Sequence, residues 1–383
     1  MVRTYILKNV TLYTSAKHET VNVLIENGLI TAINFEISDK NLSVIDAEGR
    51  IIAPGLIDIH IQGAGGADVL DGTDDALYTI SKTLARFGVT GFLATTVLSP
   101  SQNNNHIKMA ASYCGKNLGG AQLLGLHLEG PFINPERRGG IASSSVFPPS
   151  RRIFDQVMNM TGDSLRIMTI APEMEGNTQI IQTLVQNGII ASFGHSCANY
   201  EETKSGFDSG ITHITHIFNA MKSLHHRDPG PILAIFEAEH TSVQIIADGV
   251  HIHPGIIALL YRIIGKDRCI CITDGVQAIG LPEGHYFYHG HEYEARNGIA
   301  SYPDGTLIGT AIALNEIINR FAKYTDCGLV TAVQTAAINP ARLLGLDKSK
   351  GSIETGKDAD LVILDRDGSV WKTFVGGAPV YEK

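Results

Sequence analysis

Lysine and arginine form no cluster anywhere in this chain, and cysteine is sparse. No apolar stretch reaches the ~20 residues that span a bilayer. Each shortage removes a class. With 30 basic against 39 acidic residues the net charge is −9, so the positive field that phosphate-backbone binding needs is missing and nucleic acid is excluded as a partner. The richest apolar run, from Gly255 to Ile264, carries Arg262 and reads as an ordinary helix rather than a membrane span. The first residues, Met1-Val2-Arg3-Thr4-Tyr5-Ile6-Leu7-Lys8, lack the apolar core of a secretory signal. The five cysteines (Cys114, Cys197, Cys269, Cys271 and Cys327) make no CxxC pair, and an odd, sparse set fits a reducing compartment. These absences place the chain in the cytoplasm. Cys269 and Cys271 alternate with Ile270 and Ile272 and are expected as buried thiols on one face of a strand.

Hydrophobic residues make up 44% and charged residues 18% of 383, enough for a large core. The length suits a barrel of about 250 residues plus an accessory domain. Residues 1–53 look all-β. Val21 to Ile25 and Leu29 to Ile33 flank Glu26-Asn27-Gly28, and Asn-Gly between apolar runs signals a hairpin because both residues tolerate positive φ. The texture returns near the C-terminus, in Ala359 to Leu364, Val370 to Val375 and Pro379 to Tyr381. The reading is a small β-sandwich built from both termini (1–53 and 345–383), with an α/β unit at 54–344 between them.

That middle unit alternates. Strands are predicted at 56–61, 89–95, 121–128, 165–171, 188–194, 211–217, 242–248 and 269–273. Their number is eight and their interiors are continuously apolar, as strands buried on both faces require. The fold class is therefore α/β, a (β/α)8 TIM-like barrel. Among the helices, 73–87 repeats Leu77, Ile80, Leu84 and Phe87 at helical spacing, with Thr73 as its N-cap and Gly88 as its stop.

Chemistry gathers at the strand ends. His60 closes the first strand, Glu129 the third, His195 the fifth and His216 the sixth. In a closed parallel barrel these positions converge on the face where active sites lie. Imidazoles with a carboxylate suit Zn²⁺, with Fe²⁺ the alternative, and a catalytic site keeps one position open for water. Asp274 ends the eighth strand, where a carboxylate can take a proton from such a water and pass it to a leaving group. His213, three residues before His216, is expected to point away, as packing or support. His225, His226, His253, His285, His289 and His291 read as loop residues. His251, after Asp248-Gly249-Val250, should reach the barrel mouth. Asn219 with Arg227 could hold a phosphate, since Arg offers paired donors. Asp304 to Thr310 reads as a Gly-bearing turn, either entering a helix or closing a hairpin.

The stretches Pro54 to His60, Leu126 to Phe132, Gly194-His195-Ser196, Thr215 to Met221, Ile246 to His251 and Ile272 to Gly275 resemble the amidohydrolase superfamily, and within it the N-acetylglucosamine-6-phosphate deacetylase family. The resemblance spans essentially the whole chain. It implies removal of the N-acetyl group from a 6-phosphorylated amino sugar, with N-acetylgalactosamine-6-phosphate or a catalytically impaired sugar-phosphate binder as the alternatives. It implies Glu129, His195 and His216 as ligands of the main metal and Asp274 as general base, then acid. Asn219 and Ala220 would lie on the phosphate side. Arg227 would reach in from the neighbouring subunit of a homodimer. His251, Gly140, Ile141, Leu307, Ile308 and Gly309 would line the sugar. Two positions depart from the family. Gln62 stands where many members have a second histidine of His-x-His, so one tight metal is expected, with His60 near it. Ile141 stands where relatives often have His or Gln to polarise the amide carbonyl. Either the metal polarises it alone, or another residue substitutes, or activity is reduced.

Overall fold

The computed structural model describes residues 4–13, 18–37, 41–100, 103–288, 290–365 and 367–383. Eight parallel strands form the central sheet: Leu56–Ile61, Val89–Thr96, Gln122–Glu129, Leu165–Ile170, Ile190–Phe193, His213–Ile214, Ser242–Ile245 and Cys269–Cys271. They lie side by side in chain order. The ring closes where Ile61 bridges Gly275 in parallel, with the Gln62 N–H on the Gly275 carbonyl and the Asp274 N–H on the His60 carbonyl. All eight predicted strands are present. Strand six is much shorter than expected, because the chain leaves extended geometry before His216, whose φ is 26°.

Alternation along the strands separates two cores. Ile57, Ile59, Leu93, Ile167, Ile246, Ile270 and Ile272 pack together in one buried cluster, while Leu56, Phe92, Met168, Ile170, Cys269 and Cys271 pack with helix residues in another. Cys269 and Cys271 are both buried, and burial pushes the Cys271 thiol up to about 12. Helix Asp74–Ala85 starts as predicted: the Thr73 hydroxyl accepts from the Ala76 N–H at 3.2 Å, and Leu77, Ile80 and Leu84 are buried.

Strands from both termini make a second, eight-stranded sheet. Its hairpin between His18–Glu26 and Leu29–Ile33 pairs Glu26 with Leu29. Asn27 and Gly28 take φ of 55° and 84°, the turn that the Asn-Gly pair announces. Strand Thr4–Tyr13 pairs with Ser43–Asp46 along its first half and Ile51–Pro54 along its second. One face encloses its own core of Tyr5, Leu7, Val23, Ile25, Leu361 and Phe374. Val362 and Val370 on this sheet join the barrel core instead, and the Thr373 hydroxyl donates to the Ala85 carbonyl at 2.8 Å.

A third, four-stranded antiparallel sheet follows the last barrel strand: Gly284–Tyr288, His291–Arg296, Ile299–Ser301 and Leu307–Thr310. It corrects one reading and decides between the alternatives of another. His285 and His291 lie in strands, not loops. The turn at Gly305 closes a hairpin into the strand Leu307–Thr310, not a helix start. The sequence hid this sheet because its strands alternate exposed and buried residues over short lengths, without the solid apolar runs of the barrel. His289 lies outside the described residues. Among the described residues no helix is long and apolar enough to cross a membrane.

Candidate metal centre and active site

Barrel strand ends deliver five side chains to one point. Oε1 of Glu129 lies 3.0 Å from Nε2 of His195 and 3.0 Å from Nε2 of His216. The two imidazole Nε2 atoms are themselves 3.0 Å apart. His60 Nε2 is 3.5 Å from Glu129 and 3.2 Å from Oδ1 of Asp274. Among the described residues Glu129, His195 and His216 form the group with metal-ligand spacing. His195, His216 and Asp274 take φ of 49°, 26° and 48°. That region costs a non-glycine residue about 1 kcal/mol or more, and it persists where the surroundings impose it. At these strand ends it turns the side chains off the strand line.

The donor set fits a cation. His195 donates Nδ1–H to the Arg137 carbonyl at 2.7 Å, which leaves its Nε2 as a bare lone pair. His60 donates Nδ1–H to Oε1 of Gln244 at 2.9 Å, which turns its buried Nε2 toward Glu129 and Asp274. The His195 lone pair, 3.0 Å from both the Glu129 carboxylate and the His216 Nε2, is repelled unless a positive charge lies among them. Burial alone would raise Glu129, but His60, His195 and His216 outweigh it and hold the carboxyl well below the usual range. Asp274 is lowered the same way, burial opposing and His60 prevailing. His60 is pulled well above its ordinary value by Asp274 and Glu129 against its own burial. The cluster therefore demands positive charge. Bonds of about 2.1 Å to a tetrahedral cation set ligand atoms roughly 3.4 Å apart, close to the separations here.

Support lies directly beneath. Gln244 accepts from His60 and from the His216 N–H (3.3 Å), and donates to Nε2 of His213 at 3.0 Å. His213 in turn donates to Ser242 at 2.7 Å, so it supports the cluster from outside, as expected. His127 donates to the Ile59 carbonyl and accepts from Thr169, which is linked through Thr215 to Ser192. Glu173 takes the Asn134 amide, the Ser196 hydroxyl and the Cys197 N–H, pinning the turn that carries His195. Sequence reasoning missed Gln244 and Glu173. Their one signal was position, in a strand interior and just past a strand end.

A cavity of about 280 Å³ opens above the cluster. Gly140, Ile141, Leu307, Ile308 and Gly309 line it, together with Asn219, Ala220 and His251. Gln62 lies at its floor and donates Nε2–H to Asp274 at 3.3 Å. His251 is held by Asp248 through Nδ1 at 2.6 Å. Gly309 has φ of 136°, and a Cβ there would fall 2.3 Å from the Asp274 carbonyl, so only glycine lets this strand dock beside the site. Asn219 spends its amide N–H groups on the His216 and Ile217 carbonyls. Arg227 is exposed, contacts His226, and does not line the cavity of its own chain.

Residues 51–380 match the model of the amidohydrolase family, and the chain belongs to that family. It is 34% identical over 379 residues to N-acetylglucosamine-6-phosphate deacetylase of Bacillus subtilis, with 94% of each chain covered. It is 33% identical to N-acetylgalactosamine-6-phosphate deacetylase of Escherichia coli O157:H7, covering 92% and 93%. The structure of a Mycobacterium smegmatis N-acetyl-D-glucosamine-6-phosphate deacetylase variant in complex with N-acetyl-D-glucosamine-6-phosphate superimposes with a TM-score of 0.90 at 28% identity, over 99% of both chains.

Proposed function

We propose that the protein is a metal-dependent deacetylase that hydrolyses N-acetylglucosamine-6-phosphate to glucosamine-6-phosphate and acetate. The observation that carries this reading is Asp274 standing 3.2 Å from His60 at the rim of the Glu129, His195 and His216 cluster, on the floor of the cavity. The names of the relatives support the substrate. N-acetylgalactosamine-6-phosphate stands as the second reading, because a relative of nearly equal identity carries that name.

Glu129, His195 and His216 would hold one tight divalent cation, zinc in this reading and ferrous iron in its alternative. The cation, when bound, supplies acidity to a water and positive charge to the acyl oxygen. His60 stays beside it. Gln62 is a poor ligand and is spent on Asp274, so no second full ligand set forms. Asp274 takes a proton from the attacking water and returns it to the departing nitrogen, which is otherwise too basic to leave. Its lowered pKa keeps it ionised and ready to accept. His251, oriented by Asp248, faces the sugar with Nε2. Gly140, Ile141, Leu307, Ile308 and Gly309 form the wall beside the sugar. Asn219 and Ala220 flank the phosphate. The exposed Arg227 would serve the site of a second copy, making the working unit a homodimer. In this scheme 1–53 and 345–383 form the β domain, 54–344 form the hydrolase barrel, and the free cysteines suit the cytoplasm.

The test is acetate release from both phosphorylated sugars by metal-replete protein. Asp274→Asn should lower kcat by orders of magnitude with metal content unchanged. Turnover near normal in that variant refutes the proton-carrying role.

A further inference from the structure

Two adjacent arginines follow Pro135 and Glu136, and the structure uses them differently. Arg138 gives Nη1–H to the Ile141 carbonyl at 2.7 Å. Arg137 commits only its backbone. Its N–H donates to the Asn134 carbonyl at 2.9 Å, and its carbonyl accepts Nδ1–H of His195 at 2.7 Å. Arg137 is half-buried and lines the cavity above the metal cluster. Its guanidinium makes no hydrogen bond or ion pair among the described residues.

The loop that carries it is held in place. The Asn134 N–H donates to the His195 carbonyl at 2.9 Å, so the segment from Asn134 to Arg137 is bonded to His195 at both ends. A Cβ on Gly140 would fall 2.7 Å from a methyl of Ile308, so the same loop rests directly on the wall beside the sugar. Beyond His195, the Ser196 N–H donates to the Ala220 carbonyl at 3.1 Å. Arg137 and the pair Asn219 and Ala220 are thus joined to one turn, and both line the cavity next to it.

A sugar phosphate carries about two negative charges near neutral pH. The cavity it enters already holds Glu129, Glu136 and Asp274. His251 is bonded to Asp248 at 2.6 Å, and that pair has no net positive charge. Burial keeps Tyr288, which also lines the cavity, a neutral phenol. Among the described lining residues Arg137 is the sole arginine or lysine. A guanidinium offers a phosphate paired donors of matching geometry.

We propose that Arg137 binds the phosphate of the substrate, beside Asn219 and Ala220, so that each chain supplies its own cation to the site. The inference deepens the deacetylase reading and rests on it for the substrate. Arg227 of a second copy would add to this contact rather than replace it. A phosphate fixed at Arg137 orients the far end of the sugar, and with it the acetyl group over the cluster.

Arg137→Met keeps most of the side-chain length and leaves the backbone carbonyl on His195, so metal content and Tm should equal those of the parent protein. KM for N-acetylglucosamine-6-phosphate should rise about 10- to 100-fold, the range of a lost hydrogen-bonded charge, with kcat changed less than about threefold. For unphosphorylated N-acetylglucosamine, kcat/KM should stay within about twofold. Calorimetry should show glucosamine-6-phosphate losing affinity by the same factor as the KM change, and glucosamine losing none. Arg137→Lys should recover part of the loss, since it restores the charge without the fork. An unchanged KM in an active parent overturns the inference alone. An equal loss on both sugars overturns it too, because the guanidinium would then serve the acyl end. A parent that releases no acetate from either sugar, yet binds glucosamine-6-phosphate more tightly than Arg137→Met does, overturns the deacetylase reading and upholds the phosphate contact.

Discussion

Replacing Gln244 by leucine tests whether the metal cluster is held from below. The side chains are similar in size, so the barrel interior stays filled while three contacts vanish. His60 loses the acceptor for its Nδ1–H at 2.9 Å. The backbone N–H of His216 loses an acceptor at 3.3 Å. His213 loses its donor at 3.0 Å. All three histidines are buried, and a buried polar group left without a partner costs about 1–3 kcal/mol. The 3.3 Å contact is the weakest, and relaxation recovers some of the rest. A net loss of about 3 kcal/mol follows, measurable as a lower midpoint in urea. The second effect is more diagnostic. Without Gln244 the His60 ring is free to flip or change tautomer, and His216 loses one anchor of its strained backbone. Supporting partners of metal ligands are worth about 10- to 100-fold in metal affinity. Titration of Gln244→Leu against a chelator of known affinity should show a loss in that range. Metal affinity and urea midpoint both equal to those of the parent protein would refute the reasoning.

Glu173→Ala should cost about 2–4 kcal/mol, since it strands the Asn134 amide, the Ser196 hydroxyl and the Cys197 N–H; thermal unfolding checks it, and an unchanged Tm counts against the anchoring role. Gly309→Ala should destabilise by more than about 1 kcal/mol, because its Cβ meets the Asp274 carbonyl at positive φ; activity should fall with it. Lys350 is buried against Asp358 and Asp360, and although burial lowers its pKa, Asp360 and Asp358 raise it above the ordinary value. Its stabilisation is therefore complete below about pH 10.4 and fades as pH climbs through the raised folded value. Lys350→Met should flatten that alkaline slope in urea unfolding, and an identical slope would remove Lys350 as its source. Stripping the protein with a chelator should lower Tm, and Zn²⁺ should restore it; no shift either way would show that the cluster binds no cation tightly.

Much of the architecture could be read from residue order because buried parallel strands write themselves plainly. Cys269 to Ile272 is apolar at every position and Ile189 to Phe193 at every position but the buried Ser192, since both faces are covered. The Asn27-Gly28 hairpin and the Thr73 cap were legible for a similar reason, each being decided by two or three adjacent residues. His60, Glu129, His195, His216 and Asp274 could be picked out as strand-end residues, and the barrel rule supplied their convergence.

Distance in space was the part that local sequence could not hold. Gln244 joins His60, 184 positions away, and nothing around Ser242–Ile245 marks it as more than a polar residue in a strand. The four-stranded sheet went unseen because its half-exposed strands owe their stability to docking on the barrel rather than to their own apolar content. Tyr288 entered the cavity only through that docking. The amino-acid order, then, determined the eight-fold alternation and the kind of ligands at the strand ends, because burial and turn chemistry act locally. Closure of the ring at Ile61 and Gly275, the 3.0 Å meeting of Glu129 with two imidazoles, and the roof above them were decided by tertiary packing, because those contacts join segments that only a closed barrel brings together.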